Sequence, residues 1–225
     1  MTTDGGFGGE SPVNYEQKCA CMLVLDVSGS MAGEPIALLS AGLAAFRDEV
    51  IADFTAAQRL EVGIITFSST VTVERPFALL DGTGLPQLNS SGTTKLVDGV
   101  RKAAEEIEAR KSFYKSTGQN YYRPIMVLMT DGAPDADQDV AALSAEVRAA
   151  VAQRKYLFWA VGTKGYRHDL LAQIAPPETP PLALEGLKYA EFFKWLSNSI
   201  SIVTKSKEGE KITLPSTSEW TQTTI

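Results

Sequence analysis

The chain has 225 residues, of which 44% are apolar, so it can bury one substantial core, and its length favours a single domain. Its 27 acidic and 21 basic residues give a net charge of −6 without any basic run, so nucleic acid is not an expected partner. No apolar stretch approaches the roughly 20 residues of a membrane-spanning helix, and residues 1–6 do not resemble a signal peptide, so we expect a cytoplasmic protein without a membrane partner.

Apolar runs of strand length alternate with segments of helical period along the chain. The predicted strands are residues 19–25, 62–67, 125–129 and 156–161, and the predicted helices are residues 35–51, 96–107 and 140–151. Such alternation is typical of right-handed βαβ crossovers. We therefore predict an α/β, Rossmann-like fold with a mostly parallel central sheet, helices on both faces, and residues 71–73 as one short antiparallel edge strand.

The two ends of the chain are predicted to lie outside this domain. Residues 1–17 are rich in Gly, Ser and Asp and predict a flexible lead-in. The domain takes residues 18–204 and closes with a strand at 182–184 and a helix that buries Phe192, Trp195, Leu196 and Ile200. Residues 205–225 form a polar tail, in which residues 219–221 are either disordered or docked on the domain.

The two cysteines are predicted to be reduced core residues. Cys19 and Cys21 share one face of a strand about 6.6 Å apart, whereas a disulfide needs about 3.5–4.5 Å between Cβ atoms. His168 is the only histidine, which argues against zinc chemistry, and we expect it on the surface near the start of a helix.

Oxygen-bearing side chains follow two of the predicted strands and precede one predicted helix. Asp26, Ser28 and Ser30 come after the first strand, Thr94 stands before the second helix, and Asp131 comes after the third long strand. Because the carboxyl ends of parallel strands share one edge of a sheet, these side chains can converge on one ion. The predicted metal site is therefore Asp26, Ser28, Ser30, Thr94 and Asp131.

The chemistry of these side chains favours a hard cation. Mg²⁺ prefers oxygen ligands and tends to keep some of its waters, with Mn²⁺ or Ca²⁺ as alternatives. Two aspartates only neutralise the double charge of the ion and three hydroxyls add none, so a bound ion still attracts one more carboxylate. This predicts binding to a partner protein that supplies a Glu or Asp.

The sequence Asp26-Val27-Ser28-Gly29-Ser30 resembles the Asp-x-Ser-x-Ser of the metal-ion-dependent adhesion site (MIDAS) in von Willebrand factor A (VWA) domains. The Gly-x-Thr that ends at Thr94 and the Thr-Asp-Gly around Asp131 are similar to the other elements of that site. The resemblance implies the Rossmann-like VWA fold, with the serines and the threonine as ligands and the aspartates bound directly or through water. Thr93 remains an alternative to Thr94 if the register of the loop differs.

Within this family the chain most resembles the TerY-like proteins of bacterial tellurium-resistance and stress operons. The resemblance rests on residues 28–36, on Arg123-Pro124 before residues 128–132, and on residues 192–197. It implies a cytoplasmic, stand-alone binding module that works beside kinase-like, phosphatase-like or other Ter proteins.

Two other functions stand beside the metal-dependent binding module, which is not an enzyme. In the first, the cation only braces the loops of a scaffold and the partner binds elsewhere. In the second, Asp26 accepts a phosphoryl group with the help of Mg²⁺. The second is disfavoured because Ser28 stands where haloacid dehalogenase-type phosphatases need an acid, and the chain has no GxxxxGK[ST].

Two segments have open interpretations. The basic and aromatic residues between 111 and 123 either form a partner surface or cover the edge of the sheet. Asp135 and Asp137 could shape a rim of the metal site or form a second cation site, but acids in such loops are commonly solvated, so both are left out of the predicted site.

Overall fold

The computed structural model of the chain describes residues 14–82, 84–184, 187–206 and 213–217. Its centre is a six-stranded sheet composed of β1 (Cys19–Asp26), β2 (Leu60–Phe67), β3 (Val71–Leu79), β4 (Ile125–Thr130), β5 (Leu157–Gly162) and β6 (Leu182–Ala183). The strand order is β3-β2-β1-β4-β5-β6. Only the pair of β2 and β3 is antiparallel. The mostly parallel sheet with one antiparallel edge strand is therefore confirmed.

Helices cover both faces of the sheet, as predicted. They are α1 (Glu34–Ala52), α2 (Phe54–Arg59), α3 (Leu96–Thr117), α4 (Val140–Ala152), α5 (His168–Ile174) and α6 (Tyr189–Lys205). Successive residues of a strand point to opposite faces, so Leu23 packs in one core with α1 and α6, whereas Val24 packs in another with α3, α4 and α5. All eight residues of β1 are buried, because β1 is a central strand with a core on each face.

The helices α1 and α6 approach each other closely at Gly42. A Cβ atom on Gly42 would lie only 2.8 Å from Cδ2 of Phe193 and 3.2 Å from Cβ of Tyr189. Phe192, Phe193 and Trp195 are buried on the inner side of α6, whereas Lys194 is exposed. The predicted final helix and its apolar face are therefore confirmed.

Two elements extend well beyond the sequence prediction, and one short helix was not predicted. The edge strand β3 continues from Val71 to Leu79 rather than stopping at residue 73, with irregular pairing opposite Ile64. Pro76 lies inside it, which an edge strand tolerates because one of its sides has no neighbouring strand. The helix α3 ends at Thr117 rather than at residue 107. The helix α2 was not predicted, because its six residues are too few to show a helical period.

The extended part of α3 buries an ion pair. Arg110 Nε donates to Glu61 Oε2 at 2.7 Å, Arg110 Nη2 lies 2.7 Å from Glu61 Oε1, and the Tyr114 hydroxyl donates to Glu61 Oε2. The Tyr114 ring also stacks on Tyr121, with ring centroids 5.1 Å apart. These contacts favour the covering role of this segment over a partner surface, because Tyr114 is fully buried.

Both cysteines lie in the interior and are free thiols, as predicted. His168 is exposed at the first residue of α5. No helix in the described ranges is long and apolar enough to cross a membrane.

The segments next to the domain touch it at both ends. Asn14 Nδ2 donates to the Gln58 carbonyl at 3.0 Å, and Trp195 Nε1 donates to the Pro215 carbonyl at 2.9 Å. Residues 1–13, 207–212 and 218–225 lie outside the described part of the chain, and so does the expectation for residues 219–221. The proposed boundaries at residues 17–18 and 204–205 stay predictions.

Asp53 joins α2 to the end of α6. Its Oδ1 accepts the backbone N–H groups of Thr55 and Ala56, and its Oδ2 accepts from Ser201 Oγ at 2.9 Å and from Lys205 Nζ at 2.7 Å. These contacts lower the pKa of Asp53 to about 2, with the Lys205 hydrogen bond as the largest cause. The ionised carboxylate is therefore the form that the fold favours.

We expect Asp53→Asn to lower the free energy of unfolding by less than about 1 kcal/mol at pH 7, because Asn still caps α2 while the exposed charge pair is lost. Asp53→Ala also removes the cap and should cost about 1–2 kcal/mol. Since the pKa is depressed in the folded state, the difference between wild type and Asp53→Asn should be complete above pH 3.8 and vanish as the pH falls towards 2. Urea denaturation over a pH series measures both effects.

Asp48, an exposed acid of α1 that pairs with its neighbour Arg47, is the control position. Asp48→Asn should change stability by no more than about 0.5 kcal/mol. An Asp53→Asn difference that persists unchanged at pH 2 would contradict the assignment.

Candidate metal centre

The strand β1 ends at a carboxylate that has no access to solvent. Asp26 Oδ1 accepts the backbone N–H of Ser28 at 2.8 Å, and Oδ2 accepts the Thr130 hydroxyl at 2.6 Å. Thr130 is the last residue of the adjacent strand β4, so two strand ends meet at this carboxylate. Burial raises the pKa of Asp26, while the hydrogen bonds from Ser28 and Thr130 act in the opposite direction. A nearby positive charge would stabilise the ionised form.

A row of hydroxyl groups leads from Asp26 to the surface. The Ser28 and Ser30 Oγ atoms lie 3.0 Å apart, and Ser30 Oγ donates to Asp131 Oδ1 at 2.8 Å. Ser28 is buried, Ser30 is exposed and Asp131 is half-buried. The structure thus brings together four of the five predicted site residues, although Asp131 is 101 positions away from Ser30 in the chain.

The loop of Thr94, the fifth predicted residue, lies against the loop after β1. Gly29 N–H donates to the Gly92 carbonyl at 3.0 Å, and Ser91 N–H donates to the Val27 carbonyl at 2.8 Å. Gly92 has a φ of +76°, and a Cβ atom there would lie 2.3 Å from Ser69 Oγ. Only glycine therefore fits this close approach without strain.

The two neighbouring threonines have different surroundings. Thr93 is exposed, its N–H donates to Ser69 Oγ at 2.9 Å, and its hydroxyl lies 3.3 Å from the same atom. Thr94 is buried, and within the described ranges its hydroxyl forms no hydrogen bond with another residue. The Thr94 hydroxyl is therefore the one available to a further ligand.

Two residues of this region were missed by the sequence prediction. Thr130 was recognised only as a neighbour of Asp131, but its hydroxyl contacts Asp26 directly. Asp135 was assigned to solvent, but its Oδ1 accepts the Thr94 N–H at 3.0 Å, and its Oδ2 lies 3.8 Å from Lys95 Nζ. No local pattern signals either contact, because each joins segments that are far apart in the chain.

The donor set fits a hard divalent cation. Among the described residues, no three His, Cys, Asp or Glu side chains form a cluster that could hold a metal, so the candidate centre depends on two carboxylates supplemented by hydroxyls. Such oxygen ligands suit Mg²⁺ better than they suit softer metals. The hydrogen-bond partners of Asp26 in the described part of the chain are neutral, so no cationic side chain of that part is bonded to this buried group. A cation beside Asp26 would offset the cost of burying that charge.

The family of the chain follows from its sequence together with this fold. A model of the von Willebrand factor type A domain matches residues 21–133, which is half of the chain and includes all five predicted metal ligands. The chain belongs to the von Willebrand factor type A domain family. No curated protein sequence matches this VWA domain.

Solved structures with the same fold come from animals, archaea and bacteria. Proximal thread matrix protein 1 from the mussel byssus is 18% identical, with a TM-score of 0.58, over 82% of this chain and 46% of that protein. Another structure of it has a zinc-occupied MIDAS motif. The ArnB paralog VWA2 from Sulfolobus acidocaldarius is 15% identical, with a TM-score of 0.56, over 81% of this chain and 45% of that protein. The pilus adhesin SpaC from Lactobacillus rhamnosus GG is 16% identical, with a TM-score of 0.63, over 84% of this chain and 31% of that protein.

This VWA domain spans less than half of the length of each of these three proteins. At such low identity the likeness establishes the shared fold.

We expect Thr130→Val to destabilise the metal-free domain by about 1–3 kcal/mol, because it leaves a buried carboxylate oxygen of Asp26 without its hydroxyl donor. Valine keeps the branched shape of threonine, so packing in β4 should change little. Urea denaturation in the presence of a chelator measures the loss. Thr72→Val, at an exposed position of β3, is the matched control and should be nearly neutral. Equal stability of the two variants would contradict the proposed role of Thr130.

Proposed function

We propose that this VWA domain is a metal-dependent protein-binding module that holds one divalent cation at Asp26, Ser28, Ser30, Thr94 and Asp131. The observation that carries the proposal is the continuous row from Asp26 through Ser28 and Ser30 to Asp131, which runs from the buried end of β1 to the surface. A domain of this family that had lost metal binding would not need to keep all five oxygen-bearing side chains.

Each residue has a distinct role in this proposal. Asp26 supplies the buried negative charge, Ser28 and Ser30 supply neutral oxygens, and Asp131 supplies charge at the half-buried side. We assign the fifth ligand to Thr94 rather than Thr93, because the Thr93 hydroxyl already lies against Ser69. A bound cation supplies a positive charge that a Glu or Asp carboxylate of a partner protein can bind.

We propose Mg²⁺ as the cation, with Mn²⁺ and Ca²⁺ as alternatives. The chain offers two carboxylates and three hydroxyls and no nitrogen or sulfur ligand in this set, which favours a hard ion. The zinc-occupied MIDAS motif of the mussel protein supports divalent metal binding at this kind of site.

We further propose that the module acts in the cytoplasm of a bacterium, in a stress or tellurium-resistance system of the TerY type. Its partners would then be kinase-like, phosphatase-like or other Ter proteins rather than nucleic acid or membrane. The support for this context is the sequence resemblance over residues 28–36, 123–132 and 192–197.

A structural scaffold is the second candidate, and one feature favours it. Between α3 and α4 lies an open groove of about 680 Å³, with Val100, Ala104, Leu143, Val147 and Tyr156 among its lining residues. A partner that binds there would not need the cation. Phosphoryl transfer is disfavoured, because both carboxylate oxygens of Asp26 accept hydrogen bonds and the group is fully buried.

Titration calorimetry with Mg²⁺ and Mn²⁺ tests the metal site. We expect wild type to bind one ion and Ser28→Ala to bind it at least about tenfold more weakly, because a ligand oxygen is lost. Ser112→Ala is the matched control, since the Ser112 hydroxyl is exposed and bonds to its own helix at the Glu108 carbonyl. A wild type that binds neither ion would overturn the proposal.

Affinity capture from cell lysate tests the role of the metal in binding. A partner should be retained in Mg²⁺ and released by chelator, and Ser28→Ala should not retain it. Retention under all three conditions would favour the scaffold with a binding surface away from the cation.

A further inference from the structure

The loop that supplies Asp131 also holds the loop of Thr94. Asp135 Oδ1 accepts the Thr94 N–H at 3.0 Å, and the Asp135 N–H donates to the Thr94 carbonyl at 3.0 Å. The two residues therefore form a reciprocal pair across 41 positions of sequence. Both backbone groups of Thr94 are fixed by one residue.

Asp135 also lies close to Lys95, the residue after Thr94. Lys95 Nζ lies 3.8 Å from Asp135 Oδ2 and 2.5 Å from Asp137 Oδ2. Two consecutive residues, Thr94 and Lys95, thus lie against one carboxylate.

The opposite side of the Thr94 loop is held by the turn between β2 and β3. Ser69 Oγ accepts the Thr93 N–H at 2.9 Å, and the Ser68 carbonyl accepts the Lys95 N–H at 2.8 Å. The backbone around Thr94 is therefore clamped between two loops. Of these two, only the loop of Asp135 also contains a proposed metal ligand, Asp131.

We propose that Asp135 is a positioning residue of the metal centre, which fixes the Thr94 hydroxyl relative to Asp131 without binding the cation itself. The inference rests on the proposed metal site. Because hydrogen bonds to both the N–H and the carbonyl of Thr94 restrict its backbone torsions, they also restrict the direction of its side chain. Loss of Asp135 should weaken metal binding through disorder of Thr94, although no ligand atom is removed.

A different mechanism would act through charge alone. An acid near the centre attracts a cation from a distance, and Asp137 would then serve as well as Asp135. The two can be separated, because Asp137 is 66% exposed at its side chain and pairs with Lys95, whereas Asp135 bonds to Thr94. Asparagine at position 135 keeps an acceptor oxygen while it removes the charge.

The experiment measures Mn²⁺ affinity of the full chain by calorimetry for wild type, Asp135→Ala, Asp135→Asn and Asp137→Ala. We expect Asp135→Ala to bind at least about tenfold more weakly, the size of effect typical of residues that orient a metal ligand. Asp135→Asn and Asp137→Ala should stay within about threefold of wild type, since neither removes the acceptor for Thr94. Thermal unfolding checks that each variant is folded.

Amide hydrogen exchange in the metal-free state gives a second readout. The Thr94 N–H should exchange faster in Asp135→Ala than in wild type, and Asp137→Ala should leave it unchanged. Wild-type affinity in Asp135→Ala would overturn this inference alone, and an equal loss in all three variants would assign the effect to charge. Absence of Mn²⁺ binding by wild type would instead overturn the proposed metal site.

Discussion

One buried carboxylate, that of Asp26, joins the carboxyl ends of β1 and β4. A polar group without access to solvent needs hydrogen bonds from the protein, and for Asp26 they come from the Ser28 backbone and the Thr130 hydroxyl. The first contact turns the chain sharply after β1, and the second ties β1 to β4. The loops that present Ser28, Ser30 and Asp131 start from these two strand ends, whereas Thr94 lies on the loop before α3.

The domain contains a second buried acid, and the contrast between the two is informative. Glu61 in β2 has its own permanent cation, because Arg110 contacts both of its oxygens. Asp26 receives hydrogen bonds from neutral donors alone among the residues that the structure describes. A permanent ion pair suits a structural role, whereas a buried carboxylate with neutral donors is the arrangement that the proposed metal site requires. The two buried carboxyl groups of this sheet therefore differ in whether a cationic side chain contacts them.

The elements with continuous apolar runs were predictable from the sequence, because strands buried on both faces are apolar at most positions. The strands around Leu23, Val62, Val127 and Ala160 are examples. The continuation of α3 was not predictable by periodicity, since Arg110 and Tyr114 are polar residues on its buried side. Their burial depends on Glu61, which lies 49 and 53 positions away. In the same way, the pairing of Asp135 with Thr94 depends on tertiary structure alone.

The deep burial of the two thiols has a practical consequence. Cys19 and Cys21 are completely enclosed in β1, and burial raises the pKa of Cys19 to about 12. Alkylating probes attack thiolates that they can reach, so neither group should react while the domain is folded. Since the chain has no other cysteine, a single one introduced on the exposed side of α6 could carry a spectroscopic label with no need to remove the native pair.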